Sequence, residues 1–386
     1  MKNFDFYNPT HIVFGKDRIG DLAKLVPTTA KVLILVGGSS AEKTGTLAQV
    51  RAALGERIHV TFTGIEPNPS FETCMKAVQM IREQGFDFLL AVGGGSVIDA
   101  TKFIAAAVPF EGDAWDIMLK RGRNAQSALP FGVVLTLPAT GSEMNSGGVI
   151  TRKDIGAKLP FGSSLLYPKF SILDPTKTYT LPVKQLANGV VDAFVHTVEQ
   201  YLTYPANAPV QDRFAEGLLQ TLVEVGPKIV AATEPNYDDR ANLMWTATLA
   251  LNGLIGTGVP QDWSTHMIGH ELTAKYDIDH ARTLAIVLPA MLHERRVQKR
   301  EKLLQYSQRV WGIQNGSDEE RITAALDATR NFFESLGIPT RLSAYGVGAD
   351  AIDALIEQLQ AHGMTKLGEY GDITPEVSRR VLVAAL

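Results

Sequence analysis

Over roughly the first 175 residues, short aliphatic runs alternate with segments whose apolar positions recur at helical spacing, the pattern of a parallel sheet covered by helices. Residues 31–36 (KVLILV), 86–92 (FDFLLAV) and 132–137 (GVVLTL) predict buried strands, each ending in a glycine- or threonine-rich turn. Residues 72–84 and 96–107 predict helices between them, so consecutive right-handed crossovers are the economical topology. Residues 4–14 predict one or two extended strands. From about Thr180 the strand signal vanishes, and long amphipathic patterns predict helices over 183–202, 211–231, 240–255, 263–274 and 283–311. The expected fold is therefore α/β: a doubly wound, mostly parallel nucleotide-binding domain over residues 1–178, then an all-α helical bundle over 179–386. The join falls in LDPTKTYTLP, where two prolines and several threonines make a turn and a helix start.

Composition narrows the functions open to such a fold. A formal net charge of −4, with both signs mixed along 386 residues, leaves no basic stripe to neutralise phosphates, so no nucleic-acid partner is expected. No apolar run approaches the length of about eighteen residues that a membrane span needs. The opening MKNFDFYNPTHIVFG carries no apolar run behind a basic start, and the expected location is the cytoplasm. The single cysteine, Cys74, excludes an internal disulfide and a cysteine-based zinc cluster, and is expected as a small apolar residue of a helix.

Three turns carry candidate binding chemistry. The segment LLAVGGGSVIDATK runs from a buried strand through Gly93, Gly94 and Gly95 into a helix. Missing Cβ atoms let a phosphate approach the backbone, and free N–H groups at the helix start bind its charge. The spacing is not GxGxxG, so it indicates a phosphate without naming the nucleotide. The second turn, Gly37-Gly38-Ser39-Ser40, stands where NAD-preferring sites commonly place an acidic residue against the ribose 2′-hydroxyl. Glu42 comes later and Lys43 could offset phosphate charge, so NADP(H) is expected over NAD. The third turn, TLPATGSEMN, closes a strand with hydroxyls that could reach ribose or nicotinamide, although such a sequence also makes an ordinary helix cap.

The helical half carries a second kind of chemistry. Asp192 and His196 are four residues apart, as are His266 and His270, and each pair shares a helical face. With Asp277, Asp279 and His280 following, these residues can supply imidazole nitrogens and a carboxylate to a divalent cation such as Zn2+ or Fe2+. Such an ion would polarise a carbonyl, and one histidine left off it could pass a proton to the developing alkoxide. Spacing leaves open whether His270 or His280 is that spare histidine. His11, His59, His293 and His362 belong to no constellation and are expected in surface or packing roles.

Together GGGSVIDATK, TLPATGSE, the Asp192/His196 pair and WSTHMIGHELTAKYDIDHARTLAIVLP resemble the iron-containing (group III) alcohol dehydrogenase family, which shares its fold with dehydroquinate synthase. The resemblance spans nearly the whole chain. The stretches ANGVVDAFVHTVEQY and NGLIGTGVPQDWSTHMIGHELTA and the opening FGK are similar to the family's NADPH-dependent aldehyde reductases. The resemblance implies one metal ion, iron or zinc, on Asp192, His196, His266 and His280, with His270 as the spare histidine beside the nicotinamide. It implies pyrophosphate contacts from Gly94, Gly95 and Ser96 with Asp99 nearby, and nicotinamide-side contacts from Thr136, Thr140, Asn145 and Lys158. Gly37, Gly38 and Ser40 would face the 2′-phosphate and Asn68 the ribose. Ser39 stands where the family pattern has a third glycine. The family also commonly pairs its N-terminal strands across a homodimer.

The expected function is NADPH-dependent reduction of a small aldehyde to a primary alcohol. Its rivals are a metal-dependent lyase of the dehydroquinate synthase type, a His/Asp metal hydrolase and a non-catalytic nucleotide-binding assembly protein. The lyase needs several basic residues around a phosphorylated substrate, and only Lys275 and Arg282 stand near the histidines in sequence. The hydrolase would leave the glycine turns without a role.

Overall fold

A computed structural model describes all 386 residues, which form two compact units. One comprises Tyr7–Leu181 with Pro235–Thr248, and the other Met1–Phe6, Pro182–Glu234 and Leu249–Leu386. The units interleave along the chain, so a single cut after residue 178 does not describe them: Met1–Phe6 belongs to the second unit and Pro235–Thr248 to the first.

The first unit is built on a six-stranded sheet made of β1 (His11–Phe14), β2 (Val32–Val36), β3 (His59–Phe62), β4 (Phe88–Gly94), β5 (Phe131–Leu137) and β8 (Phe170–Leu173). Every neighbouring pair is parallel, in the order β1-β8-β5-β4-β2-β3. An antiparallel hairpin, β6 (Gly147–Arg152) with β7 (Ala157–Gly162), stands outside it. Its longer helices before Pro182 are α1 (Thr46–Leu54), α2 (Phe71–Gln84) and α3 (Gly95–Ala107). Alternation along the strands sends Leu33, Leu35, Leu89, Ala91, Val133 and Leu135 into one core with α2 and α3. Val32, Ile34, Val36, Leu90, Val92 and Val134 enter another with α1. Burial on both faces is why these strands read as unbroken apolar runs. Ser70 caps α2 by accepting the Thr73 N–H at 3.2 Å, and Gly85, at φ +70°, ends it.

Chain order reverses between β2 and β4: β3 lies on one side of β2 and β4 on the other. The carboxyl ends of strands at such a reversal open a crevice that binds ligands. Here those ends lead into Gly37-Gly38 and Gly94-Gly95.

The second unit is helical: α4 (Val183–Tyr201), α5 (Pro209–Ala231), α7 (Ser264–Tyr276), α8 (His280–Glu294), α9 (Arg300–Arg309), α10 (Asp318–Ser335), α11 (Ile352–Ala361) and α12 (Pro375–Ala384). Most of α6 (Tyr237–Ala250) belongs to the sheet unit. Ile268 and Leu272 of α7, Val287 and Met291 of α8, Leu355 of α11 and Val381 of α12 form one apolar cluster.

Three expected elements differ from those observed. Of residues 4–14 only His11–Phe14 form a strand, edge strand β1 beside β8. The helix expected over 240–255 ends at Ala250, because Asn252 accepts the Leu254 N–H and Gly253 takes φ +94°. The helix expected over 283–311 is two helices. At the break Arg295 turns to Asp372, and Lys299 reaches Asp262 at 2.9 Å and Glu369 at 2.6 Å. No helix is long and apolar enough to cross a membrane.

Candidate active site

Helix α4 is buried along nearly its whole length, yet it carries Asn188, Asp192, His196, Glu199 and Gln200. Buried polar groups need partners, and this helix supplies several of its own. Nε2 of His196 lies 3.7 Å from Oδ1 of Asp192, one turn back. Two other helices bring Nε2 of His266 to 4.0 Å and Nε2 of His280 to 3.8 Å from the same oxygen. These separations exceed direct hydrogen bonds and lie near the roughly 3.4 Å between ligands of a tetrahedral shell of about 2.1 Å radius. The potential ligand atoms of Asp192, His196 and His266 all lie within 4.8 Å of one another.

Burial holds His196 down to about 4, the nearby His266 adds to that depression, and Asp192 opposes both. The ring is therefore neutral at neutral pH and offers a lone pair. A mixed imidazole and carboxylate donor set of this size fits Zn2+ or Fe2+ rather than Mg2+ or Ca2+. The rings of His196 and His266 stack at 4.6 Å between centroids, and Trp263 stands edge-on at 5.3 Å from His266. His270 is buried on α7, one turn beyond His266, with ring centroids 6.3 Å from His266 and 5.2 Å from His280.

Residues outside the expected set hold these side chains. Glu199, on the same face of α4, accepts the Thr265 N–H at 2.7 Å and meets Nδ1 of His266 in a short hydrogen bond. Burial and the Asp262 carboxylate push Glu199 well above the usual carboxylate range, against the backbone N–H groups of Thr265 and His266 and the Lys299 ammonium. The two acidic residues before His280 have separate tasks. Asp277 ends α7 in the left-handed region, at φ +54°. Asp279 reaches back to α4, pairing with Lys184 at 2.7 Å and accepting from Asn188 at 3.2 Å, which sets the start of α8 beside Asp192. Their spacing from the histidines gave them as possible metal partners, whereas i+3 from His196 was the available signal for Glu199.

In the sheet unit, the first and third turns meet, and Gly37 of the second lies beside the Val97 side chain just past the first. A Cβ on Gly95 would come within 2.5 Å of Thr140, so the first and third turns touch there. A Cβ on Gly37 would come to 3.0 Å from the Ile65 carbonyl, and the Gly64 N–H donates to Gly37 at 2.8 Å. Gly38 faces open space. Ser40 is exposed and opens a single helical turn. Ser96 is half-buried at the start of α3, and Thr136 lies at the carboxyl end of β5. Asp99 accepts the Ser142 hydroxyl at 2.6 Å and the Val149 N–H at 2.9 Å, anchoring both the third turn and the hairpin.

Lys102, which the motifs did not single out, is fully buried and donates to Ser142, Asn145 and the Gly147 carbonyl at 2.7–2.8 Å. Burial brings it down to about 8, with the carboxylates of Asp99 and Glu143 opposing. Asn145 is thus held by a lysine rather than standing open as a ligand contact alone. Lys158, on the hairpin, donates to Asn68 at 2.9 Å, pairing two residues expected in separate roles. Asn68 is at φ +55°, in a loop tied to the hairpin by the Thr151 N–H donating to Pro69. Cys74 is fully buried, with its thiol pushed far up by burial, as a packing residue would be.

Residues 9–175 match the family model for iron-containing alcohol dehydrogenase, and residues 186–375 match the model for the C-terminal part of that family. The chain is 60% identical to the NADPH-dependent aldehyde reductase YqhD of Escherichia coli over the full length of both. It is 41% identical, again over both full lengths, to a probable NADH-dependent butanol dehydrogenase of Bacillus subtilis. The solved structure of E. coli YqhD superposes with a TM-score of 0.99 at 59% identity, covering 100% of this chain and 99% of that one. An NADH-dependent butanol dehydrogenase of Thermotoga maritima superposes with 0.94 at 34% identity, covering 100% and 99%.

Proposed function

The chain belongs to the iron-containing alcohol dehydrogenase family, and from that premise we propose that it reduces small aldehydes to primary alcohols with NADPH, reversibly. The observation that carries this reading is the meeting of three imidazole Nε2 atoms around one buried carboxylate oxygen, in a chain whose sheet ends in glycine turns at a reversal of strand order.

Asp192, His196, His266 and His280 would hold one divalent ion, iron or zinc. When bound there, the ion supplies Lewis acidity to a carbonyl oxygen. The remaining chemistry belongs to the chain. Asp192 contributes the one negative charge of the ligand set. His196, neutral because it is buried, gives a lone pair without first losing a proton. His270 carries and delivers the proton that the reduced oxygen needs, and its burial beside His266 and His280 keeps that proton out of bulk water.

On the sheet unit, Gly94, Gly95 and Ser96 present backbone N–H groups at the start of α3 to a pyrophosphate. Thr136, Thr140, Asn145 and Lys158 orient the nicotinamide side, with Asp99 and Lys102 fixing the turn and hairpin that carry them. Asn68, held by Lys158, lies on the ribose side. Gly37, Gly38 and Ser40 leave room for a 2′-phosphate. Glu42, which follows that turn, pairs with Arg51 at 3.1 Å, so a cation stands beside its charge. A lyase acting on a phosphorylated substrate is disfavoured because only two basic residues stand near the histidines in sequence, and one of them, Arg282, lies 3.5 Å from Asp279.

The protein is further read as a cytoplasmic homodimer. Strand β1 is a sheet edge, and Phe4, Phe6 and Tyr7 just before it in sequence are exposed, an apolar run that a second copy can cover. Light scattering on the purified chain tests the dimer. The function is tested by the fall in NADPH absorbance at 340 nm when a short aldehyde is added to metal-loaded protein. A fall that requires both the aldehyde and the metal supports the reading, and no oxidation across a panel of aldehydes overturns it.

A further inference from the structure

Glu199 is almost wholly buried, and no step above uses it. Its two oxygens face two donors that belong to the same short stretch of α7: Oε1 takes the Thr265 N–H at 2.7 Å, and Oε2 meets Nδ1 of His266. Its own backbone carbonyl accepts the Asp262 N–H at 2.9 Å, just ahead of α7. It lies three residues beyond His196 and seven beyond Asp192, on the helical face that carries both. One helix thus grips the neighbouring one at the residue whose other nitrogen points back toward Asp192.

We propose that Glu199 is a positioning residue for metal binding, fixing His266 in the tautomer and ring orientation that turn its Nε2 lone pair toward Asp192 and His196. The inference rests on the metal assignment above. An imidazole that ligates through Nε2 must carry its proton on Nδ1, and the Glu199 carboxyl oxygen that faces it, held in place because the other oxygen takes the Thr265 N–H, gives that proton a fixed acceptor. Without it the His266 ring could rotate about its side-chain bonds, and its Nε2 would be available only part of the time. A glutamine at the same place cannot replace it. Its single carbonyl oxygen can serve either Thr265 or His266, which leaves an NH2 group facing the other donor.

The test is the zinc affinity of full-length wild type and Glu199→Gln, stripped of metal and titrated against a chromophoric chelator, with thermal melts of both stripped forms alongside. The expected result is zinc binding weakened by about 10- to 100-fold in the variant, with little change in the melting temperature of the stripped protein. Equal affinity and equal zinc release rates in the two proteins overturn the role of Glu199 while leaving the metal assignment intact. Absence of stoichiometric zinc or iron binding by wild type overturns the assignment itself. Should Glu199→Gln fail to fold, wild type answers the question by nitrogen-15 NMR of histidine-labelled, zinc-loaded protein. A proton on Nδ1 of His266, slow to exchange, is expected, and a proton on Nε2 or metal on Nδ1 contradicts the proposal.

Discussion

Nε2 of His280 comes within 3.8 Å of the Asp192 carboxylate, although the two residues stand on different helices and are far apart in the chain. The contact is set by Asp279, whose pairing with Lys184 and Asn188 of α4 fixes the turn that leads into His280. A carboxylate approached by three imidazoles on three helices is not a packing accident, because each buried polar group there would lose hydration without a partner.

Replacing His266 with alanine is expected to remove metal and activity together, since it deletes a ligand atom of the most compact group. Replacing His270 with alanine should leave one metal per chain and lower kcat by about 10²- to 10⁴-fold, the usual contribution of a general acid. Elemental analysis beside steady-state kinetics separates the two roles. Loss of metal from the His270 variant would reverse them.

Substituting aspartate for Gly38 is expected to shift cofactor preference from NADPH toward NADH by on the order of tenfold or more, through repulsion of the 2′-phosphate. The position is sterically open, so the charge acts without distorting the turn. An unchanged ratio of kcat/KM for the two cofactors would place the 2′-phosphate elsewhere.

Gly95→Ala should behave differently. Its Cβ would sit 2.5 Å from Thr140 side-chain atoms, so the two turns must separate. A loss of about 1–3 kcal/mol in stability is expected, with weaker binding of both NADPH and NADH. Denaturant melts and cofactor titration check it, and wild-type values for both would show that the turns do not press on each other.

Lys102 gives a pH dependence whose sign follows from burial. In the unfolded chain a lysine keeps its proton to about pH 10.4, whereas in the fold burial brings Lys102 down to about 8. Between these values the unfolded state binds more protons, so stability measured against Lys102→Met should rise with pH over that window. Urea melts of both proteins at several pH values test this. A difference that falls with pH would mean that the three acceptors around Lys102 hold the ammonium more tightly than burial repels it.

The parts of the molecule legible in the sequence are those where local pattern and tertiary role coincide. The strands at 31–36, 86–92 and 132–137 announce themselves because both faces are buried, and the Asp192/His196 pair because helical periodicity puts the two side chains together. The hairpin β6–β7 is hidden by Gly147, Gly148, Pro160 and Gly162, which break any alternating pattern, and β8 by having only four residues. Lys299 ends a predicted helix through partners more than thirty residues away on either side, which no local window contains. The roles of Glu199, Asp279 and Lys102 likewise depend on which helix or turn the fold places opposite them. His362 carries no motif, yet it hydrogen-bonds Glu271 at 2.7 Å, a packing role in keeping with its isolation in the sequence.

The most direct test is the rate of aldehyde-dependent NADPH oxidation by metal-stripped protein as Zn2+ or Fe2+ is returned in measured equivalents. The rate should rise from near zero and break at one ion per chain for wild type, with no rise for Asp192→Ala. Full activity in the stripped protein, or the same rise in the Asp192 variant, would contradict a single cation held by these residues as the centre of the chemistry.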